Sequence, residues 1–236
     1  MSSPSRRWQT GAVSGDLAEM EAVWRTNVGA EPDCRAAGDE LLARYRQPHR
    51  VYHGLRHLVW VVRHVQSLAA EPSVDIADPG ATVAAAFYHD AVYEPTGTAN
   101  EARSADIAVA DLSALNWNPA RCARVAELVR ATVEHRAGDD VDAAVLCDAD
   151  LAVLAADPAD YEAYVNGVRR EYAHVDDGRW RAGRGAVLRS FVGRTQIYAT
   201  DAAQQRWEAR ARANVAAELA ALGVSARVGG DGAISP

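Results

Sequence analysis

Helical periodicity runs almost unbroken through this chain. Alanine fills the periodic segments, and β-branched runs bounded by turn signals are missing. A sequence of that kind buries its apolar residues by packing helix against helix. Start signals recur: Asn118-Pro119 and Asp157-Pro158 each set a capping residue ahead of proline at the first helical position, and Pro79 opens a strongly apolar segment. No internal repeat or linker interrupts the pattern. The reading is an all-α, single-domain bundle of roughly eight to ten helices, spanning residues 14–222, with disordered tails expected over 1–13 and 223–236.

Leu17, Met20, Val23 and Trp24 mark a first amphipathic helix, and Leu41, Leu42 and Tyr45 a second that stops before Pro48. A third is expected over His53–Glu71, with Leu58, Val61, Val62, Val65 and Leu68 on its apolar face. The segment from Pro79 should remain helical to about His89-Asp90. Thr98-Ala99-Asn100-Glu101 has capping-box spacing and should open the next helix, through about Leu115. Further helices are expected from Asn118 to about Glu134, over Val141–Leu154, from Asp157 to Ala173, over Trp180–Gln196 and over Ala202–Leu222. Tyr161, Tyr164 and Tyr172 at helical spacing read as core or interface.

Composition excludes several functions. Net charge is −7, which disfavours binding to a nucleic-acid polymer, because such proteins gain affinity by neutralising phosphates. All 25 basic residues are arginine. A chain without lysine is neither a P-loop NTPase relying on its own lysine nor a Schiff-base enzyme. Cys34, Cys122 and Cys147 are odd in number and far apart, which suits reduced thiols in the cytoplasm. The N-terminus is polar and no long apolar run occurs, so neither a targeting segment nor a membrane span is expected.

Chemistry concentrates around AAAFYHDAVYE (residues 84–94), where an apolar helix delivers His89 and Asp90 side by side. Neighbours on a helix point about 100° apart, so the pair can approach one central point from two directions. A carboxylate in such surroundings is costly unless paired or coordinated. His57 lies upstream and Asp150 downstream, each on a separate expected helix, and four such ligands can close around an ion inside a bundle. On a helix His53 would share the face of His57, with His64 nearly on it. Asp148 competes with Asp150, because about 200° separates them around a helix and only one can face the site squarely. Imidazole and carboxylate together suit Mn, Fe, Co, Ni or Zn, with Mg also compatible.

The ordered set His57, His89-Asp90 and Asp150, within PHRVYHGLRHL (48–58), AAAFYHDAVYEP (84–95), NEARSA (100–105), ATVEH (131–135), LCDADL (146–151), VRREY (168–172) and ARANVAAEL (211–219), resembles the metal-dependent phosphohydrolases of the HD superfamily over most of residues 15–220. The resemblance implies an HD-type helical bundle with His57, His89, Asp90 and Asp150 as metal ligands. It favours Asp150 over Asp148, which then becomes a cap or a supporting group. It also implies hydrolysis of a nucleotide or other small phosphate ester by a metal-activated water, in a cytoplasmic enzyme binding one or two ions. Asp90, Glu101 and His135 are then the catalytic candidates. Glu101 is alternatively part of a capping box, and His135 alternatively a solvent-facing helix end. His53, Arg169 and Arg184 are candidates for holding the substrate. A homodimer is compatible with this reading. Two other readings share the ligands: a di-iron oxygenase, with His53 and His135 completing the set, and a non-catalytic module that keeps a structural ion.

Overall fold

The computed structural model describes residues 13–224. Among them are ten α-helices, one 3-10 turn and no strand, forming a single-domain all-α bundle: α1 (Val13–Asn27), α2 (Pro32–Arg44), α3 (Leu55–Ala69), α4 (Pro79–Tyr88), α5 (Asn100–Ala114), α6 (Pro119–Ala131), α7 (Val141–Leu151), the 3-10 turn Ala152–Ala155, α8 (Pro158–Glu171), α9 (Asp177–Val192) and α10 (Asp201–Ala221). Of the tails expected over 1–13 and 223–236, residues 1–12 and 225–236 lie outside the described residues, and Val13 belongs to α1. No helix among those described is long and apolar enough to cross a membrane.

Helix α4 is the axis of the bundle. Every residue from Ala81 to Tyr88 is buried, as an all-round apolar helix must be in water. Its small residues (Ala81, Ala84, Ala85, Ala86) let neighbouring helices approach closely, and α1, α3, α5, α6 and α7 all pack on it. Asp78 caps it, accepting from the Ala81 amide at 2.9 Å, and Pro79 occupies the first turn. The buried Asp142 carboxylate accepts from the amides of Ala77 and Asp78, which ties the start of α4 to α7. On the opposite flank Trp24 of α1 packs edge-on against Phe87, ring centroids 5.2 Å apart.

Several boundaries differ from the expectation for local reasons. Helix α3 begins at Leu55 after Gly54, so His53 precedes the helix and shares no helical face with His57. The capping box at Thr98–Glu101 does not form. The cap position is Ala99, and the Asn100 side chain instead exchanges hydrogen bonds with the backbone of Glu94 at 3.2 and 3.0 Å. Helix α6 ends at Ala131, not near Glu134, and His135 follows in a turn with φ 49°. Asn118 caps α6 as expected, accepting from the Ala120 amide. The Asp157 side chain makes no cap bond and pairs with Arg210 at 3.0 Å. At the far end Gly223 takes φ 70°. Its amide and that of Val224 bond back to Ala220 and Leu219, closing α10 with a left-handed residue that only glycine adopts cheaply. Order therefore extends past the expected end at Leu222.

Candidate metal centre

Three packed helices carry the central residues. His57 lies in the first turns of α3, His89 is the C-cap of α4 with Asp90 just beyond it, and Asp150 sits in the last turn of α7. Two helices therefore direct their carbonyl ends toward one spot, and the negative end of a helix dipole favours a cation.

The donor atoms converge. His57 Nε2 stands 3.0 Å from His89 Nε2, 3.4 Å from Asp90 Oδ2 and 3.2 Å from Asp150 Oδ1. His89 Nε2 stands 3.3 Å from Asp90 Oδ2 and 3.7 Å from Asp150 Oδ1. Donor atoms of His57, His89 and Asp90 all lie within 4.8 Å of one another, close enough to hold a metal ion. Asp150 flanks that group. Both imidazoles are buried, whereas the two carboxylates are each 15% exposed.

The chemistry of this set fits a divalent cation. His89 Nδ1 donates to the carbonyl of Ala86 at 2.8 Å, which leaves Nε2 with a lone pair facing the cluster, as a metal-ligating histidine requires. Two nitrogens bound at ~2.1 Å to one ion lie about 3 Å apart when the angle between them is near 90°, matching the observed spacing. Two ionised carboxylates against two neutral imidazoles leave about two negative charges in a largely buried place, an expensive arrangement without a cation.

In the absence of an ion, protons take that role. Burial disfavours protonated His57, but hydrogen bonds to Asp150 and Asp90 outweigh it and raise its pKa to about 9. His89 shifts upward too, against burial, under the charge of Asp90. Burial opposes ionisation of Asp90, yet the neighbouring His89 and His57 hold it well below the ordinary carboxylate range. Asp150 is depressed likewise, against burial, by hydrogen bonds from His135 and His57.

A frame that sequence reasoning did not single out fixes the His-Asp pair. Tyr45 donates its hydroxyl to the carbonyl of Phe87 at 2.9 Å and accepts from the Asp90 amide at 3.2 Å. Buried Arg50 donates to the carbonyls of Asp90 at 2.6 Å and Ala91 at 3.0 Å. These contacts satisfy carbonyls that the end of α4 leaves without helical partners. Ser104 adds a bond from the Val92 amide at 2.9 Å. Arg50 and Ser104 lie within PHRVYHGLRHL and NEARSA, so the segments were visible although the roles were not. Both residues act chiefly on backbone atoms, which no side-chain motif reveals.

The other expected site residues are distributed as follows. His135 donates from Nε2 to Asp150 Oδ2 at 2.8 Å, and Arg194 holds its turn by donating to the carbonyls of His135 and Glu134. His135 is thus neither a helix end nor solvent-facing. His53 donates from Nδ1 to Glu171 at 2.6 Å. Buried Glu171 also accepts from the amides of Tyr52 and His53 and from the Tyr93 hydroxyl. These donors outweigh burial and hold its pKa below the ordinary value. His64 turns away, bonding to the carbonyl of Trp60 and packing on Trp207. Asp148 accepts from Ala199 and Thr200 at the start of α10, so of the two competing aspartates only Asp150 reaches the cluster.

A cavity of about 700 Å³ opens over the cluster, lined by His57, Asp90, Asp150, His135, His53 and Glu101 among others. Arg169 is outside its lining, occupied with the carbonyls of Tyr172 and Val175 and with Asp177. Arg184 does reach the lining. Its guanidinium is nonetheless buried in a two-point pair with Glu218 at 2.8 and 3.1 Å and a bond to Tyr164. Both arginines thus find partners within the fold, and of the two Arg184 alone lies in the cavity lining.

Compared with known proteins, the chain matches no family model, no curated protein and no solved structure.

Proposed function

We propose that this chain is a metal-dependent phosphohydrolase of HD type, acting on a nucleotide or other small phosphate ester. The observation that carries this reading is the meeting of His57, His89, Asp90 and Asp150 at the floor of a cavity large enough for a metabolite. A divalent ion held by these residues would lower the pKa of water from 15.7 to as little as ~7 and polarise a phosphoryl oxygen.

This chain's own residues supply the rest. His89, fixed by Ala86, and His57 present Nε2 to the ion, while Asp90 and Asp150 balance its charge. His135 keeps Asp150 turned toward the cluster and can accept a proton from water at the cavity floor. His53, locked on Glu171, lines the cavity and can donate a hydrogen bond to the phosphoryl group. Glu101 lines it too, and the proton that His135 takes from water can pass through its carboxylate to the leaving oxygen. Hydrolysis then consumes one water and releases the alcohol, leaving inorganic phosphate from a monoester or a phosphomonoester from a diester.

The test is turnover of phosphomonoesters and phosphodiesters by protein reconstituted in turn with Mn, Co, Ni, Zn or Mg, beside Asp90→Ala. Metal-dependent ester hydrolysis that disappears in the folded variant supports the proposal. Equal release by metal-free Asp90→Ala overturns it. Iron-loaded, coloured, oxygen-consuming protein would favour the oxygenase reading instead.

A further inference from the structure

The walls of the cavity narrow the substrate further. Away from the metal centre most of the polar and most of the apolar side chains come from different segments. One side is polar and comes from the loop before α5 and its first turn: Gly97, Thr98, Asn100 and Glu101. The end of α7, the 3-10 turn, α8 and α9 contribute Leu151, Val153, Leu154, Val168, Val187 and Phe191, with Tyr164, Arg179 and Arg184 among them. Trp180 and Tyr172 continue that surface outward. Val187, 47% exposed, lies one helical turn before Phe191 on α9, and both line the cavity.

The supply of positive charge is equally specific. Arg184 is neutralised by Glu218, and Arg169 is turned elsewhere. Only Arg179 remains in the lining, an exposed side chain 3.4 Å from Asp176. Glu101 across the cavity adds negative charge. A polyphosphate chain needs several cations along its length, whereas the arginines of this lining are Arg184, already paired with Glu218, and Arg179. Sugar hydroxyls or the polar edges of a nucleobase, desolvated against Val, Leu and Phe side chains, would lose water without gaining hydrogen bonds.

Resting on the phosphohydrolase reading, we infer that the substrate is a monophosphate ester of an apolar alcohol, aryl or alkyl. Its single phosphate sits at the His57–His89–Asp90–Asp150 end, and its hydrocarbon lies along the wall of Leu151, Val153, Leu154, Val168, Val187 and Phe191. The products are that alcohol and inorganic phosphate, with water as the only co-reactant.

The experiment uses the full chain loaded with Mn²⁺ and has two arms. In the first, kcat/KM is measured for 1-naphthyl phosphate and decyl phosphate against glucose 6-phosphate, AMP and ATP. The apolar esters should lead by at least tenfold. Turnover that favours AMP, ATP or the sugar phosphate overturns the inference and leaves the hydrolase reading standing. In the second, binding of non-hydrolysable naphthylmethylphosphonate and of phosphonoacetate is compared by calorimetry. Naphthylmethylphosphonate should bind at least tenfold tighter, and equal or weaker binding overturns the inference. Tight apolar binding without turnover of any ester sustains the apolar wall and removes the hydrolase reading.

Discussion

His135 reaches Asp150 from a left-handed turn: its Nε2 donates to Oδ2 at 2.8 Å while its backbone sits at φ 49°. A non-glycine residue in that region is uncommon and carries backbone strain. Arg194 sustains it by donating to the carbonyls of Glu134 and His135. The other oxygen of Asp150 is then left to face His57 at 3.2 Å.

Removing that support should loosen the metal without unfolding the protein. Groups that orient a ligand typically cost 10–100-fold in metal affinity when deleted. His135→Ala is expected to weaken Mn²⁺ binding by about that factor, measured by competition with a chelator, with helical circular dichroism retained. Unchanged affinity would mean that His135 does not set the orientation of Asp150.

The two aspartates of LCDADL should separate cleanly. Asp150→Asn is expected to abolish metal retention with little loss of heat stability. Asp148→Asn should keep the metal and lose roughly 1–3 kcal/mol of stability, since its carboxylate satisfies three donors at the start of α10. Denaturant unfolding beside metal analysis of both variants checks this, and a reversed pattern would refute the assignment.

Arg184 offers a stability test in place of a substrate test. Arg184→Met leaves Glu218 buried without its partner, and breaking such a pair costs about 3–5 kcal/mol. The double variant Arg184→Met/Glu218→Leu should recover much of that loss, because well-packed apolar residues often replace a buried ion pair at little cost. A double variant no more stable than the single one would contradict the account of this pair.

The metal-free protein should respond to pH in a defined direction. His57 holds its proton more tightly folded, at about 9, than at the ordinary 6.5. That contribution is complete below about pH 6.5 and is lost as pH rises toward 9. Asp90 and Asp150 are depressed, so their contribution is present above the ordinary value of 3.8 and is lost on acidification. Chelator-treated protein should therefore melt at progressively lower temperature as pH rises from 6.5 to 9. Metal binding must displace the same proton, so apparent affinity should strengthen over that range, by up to about tenfold per pH unit for each proton released. A melting temperature that climbs with pH in the metal-free protein would contradict this.

The all-α architecture was legible because its signals are local: apolar periodicity, alanine content, and proline behind Asn118. Helix ends set by distant partners were not. His53 reads as helical by spacing, yet its position follows Glu171, 118 residues away. Thr98-Ala99-Asn100-Glu101 has the spacing of a capping box, but Asn100 finds the Glu94 backbone instead. His57, His89, Asp90 and Asp150 could be named from their order, and the structure brings them together. Arg169 and Arg184 could not be judged from sequence, since Arg184 meets Glu218, 34 residues along the chain, and Arg169 meets carbonyls that carry no residue signature.

Metal content shows whether His57, His89, Asp90 and Asp150 grip one cation. Protein loaded with Mn²⁺, Co²⁺ or Zn²⁺ and freed of excess by gel filtration should retain one or two ions per chain by elemental analysis. Asp90→Ala, with unchanged helical circular dichroism, should retain almost none. Wild-type protein that emerges without metal under every loading condition, or Asp90→Ala that keeps as much as wild type, would contradict the account.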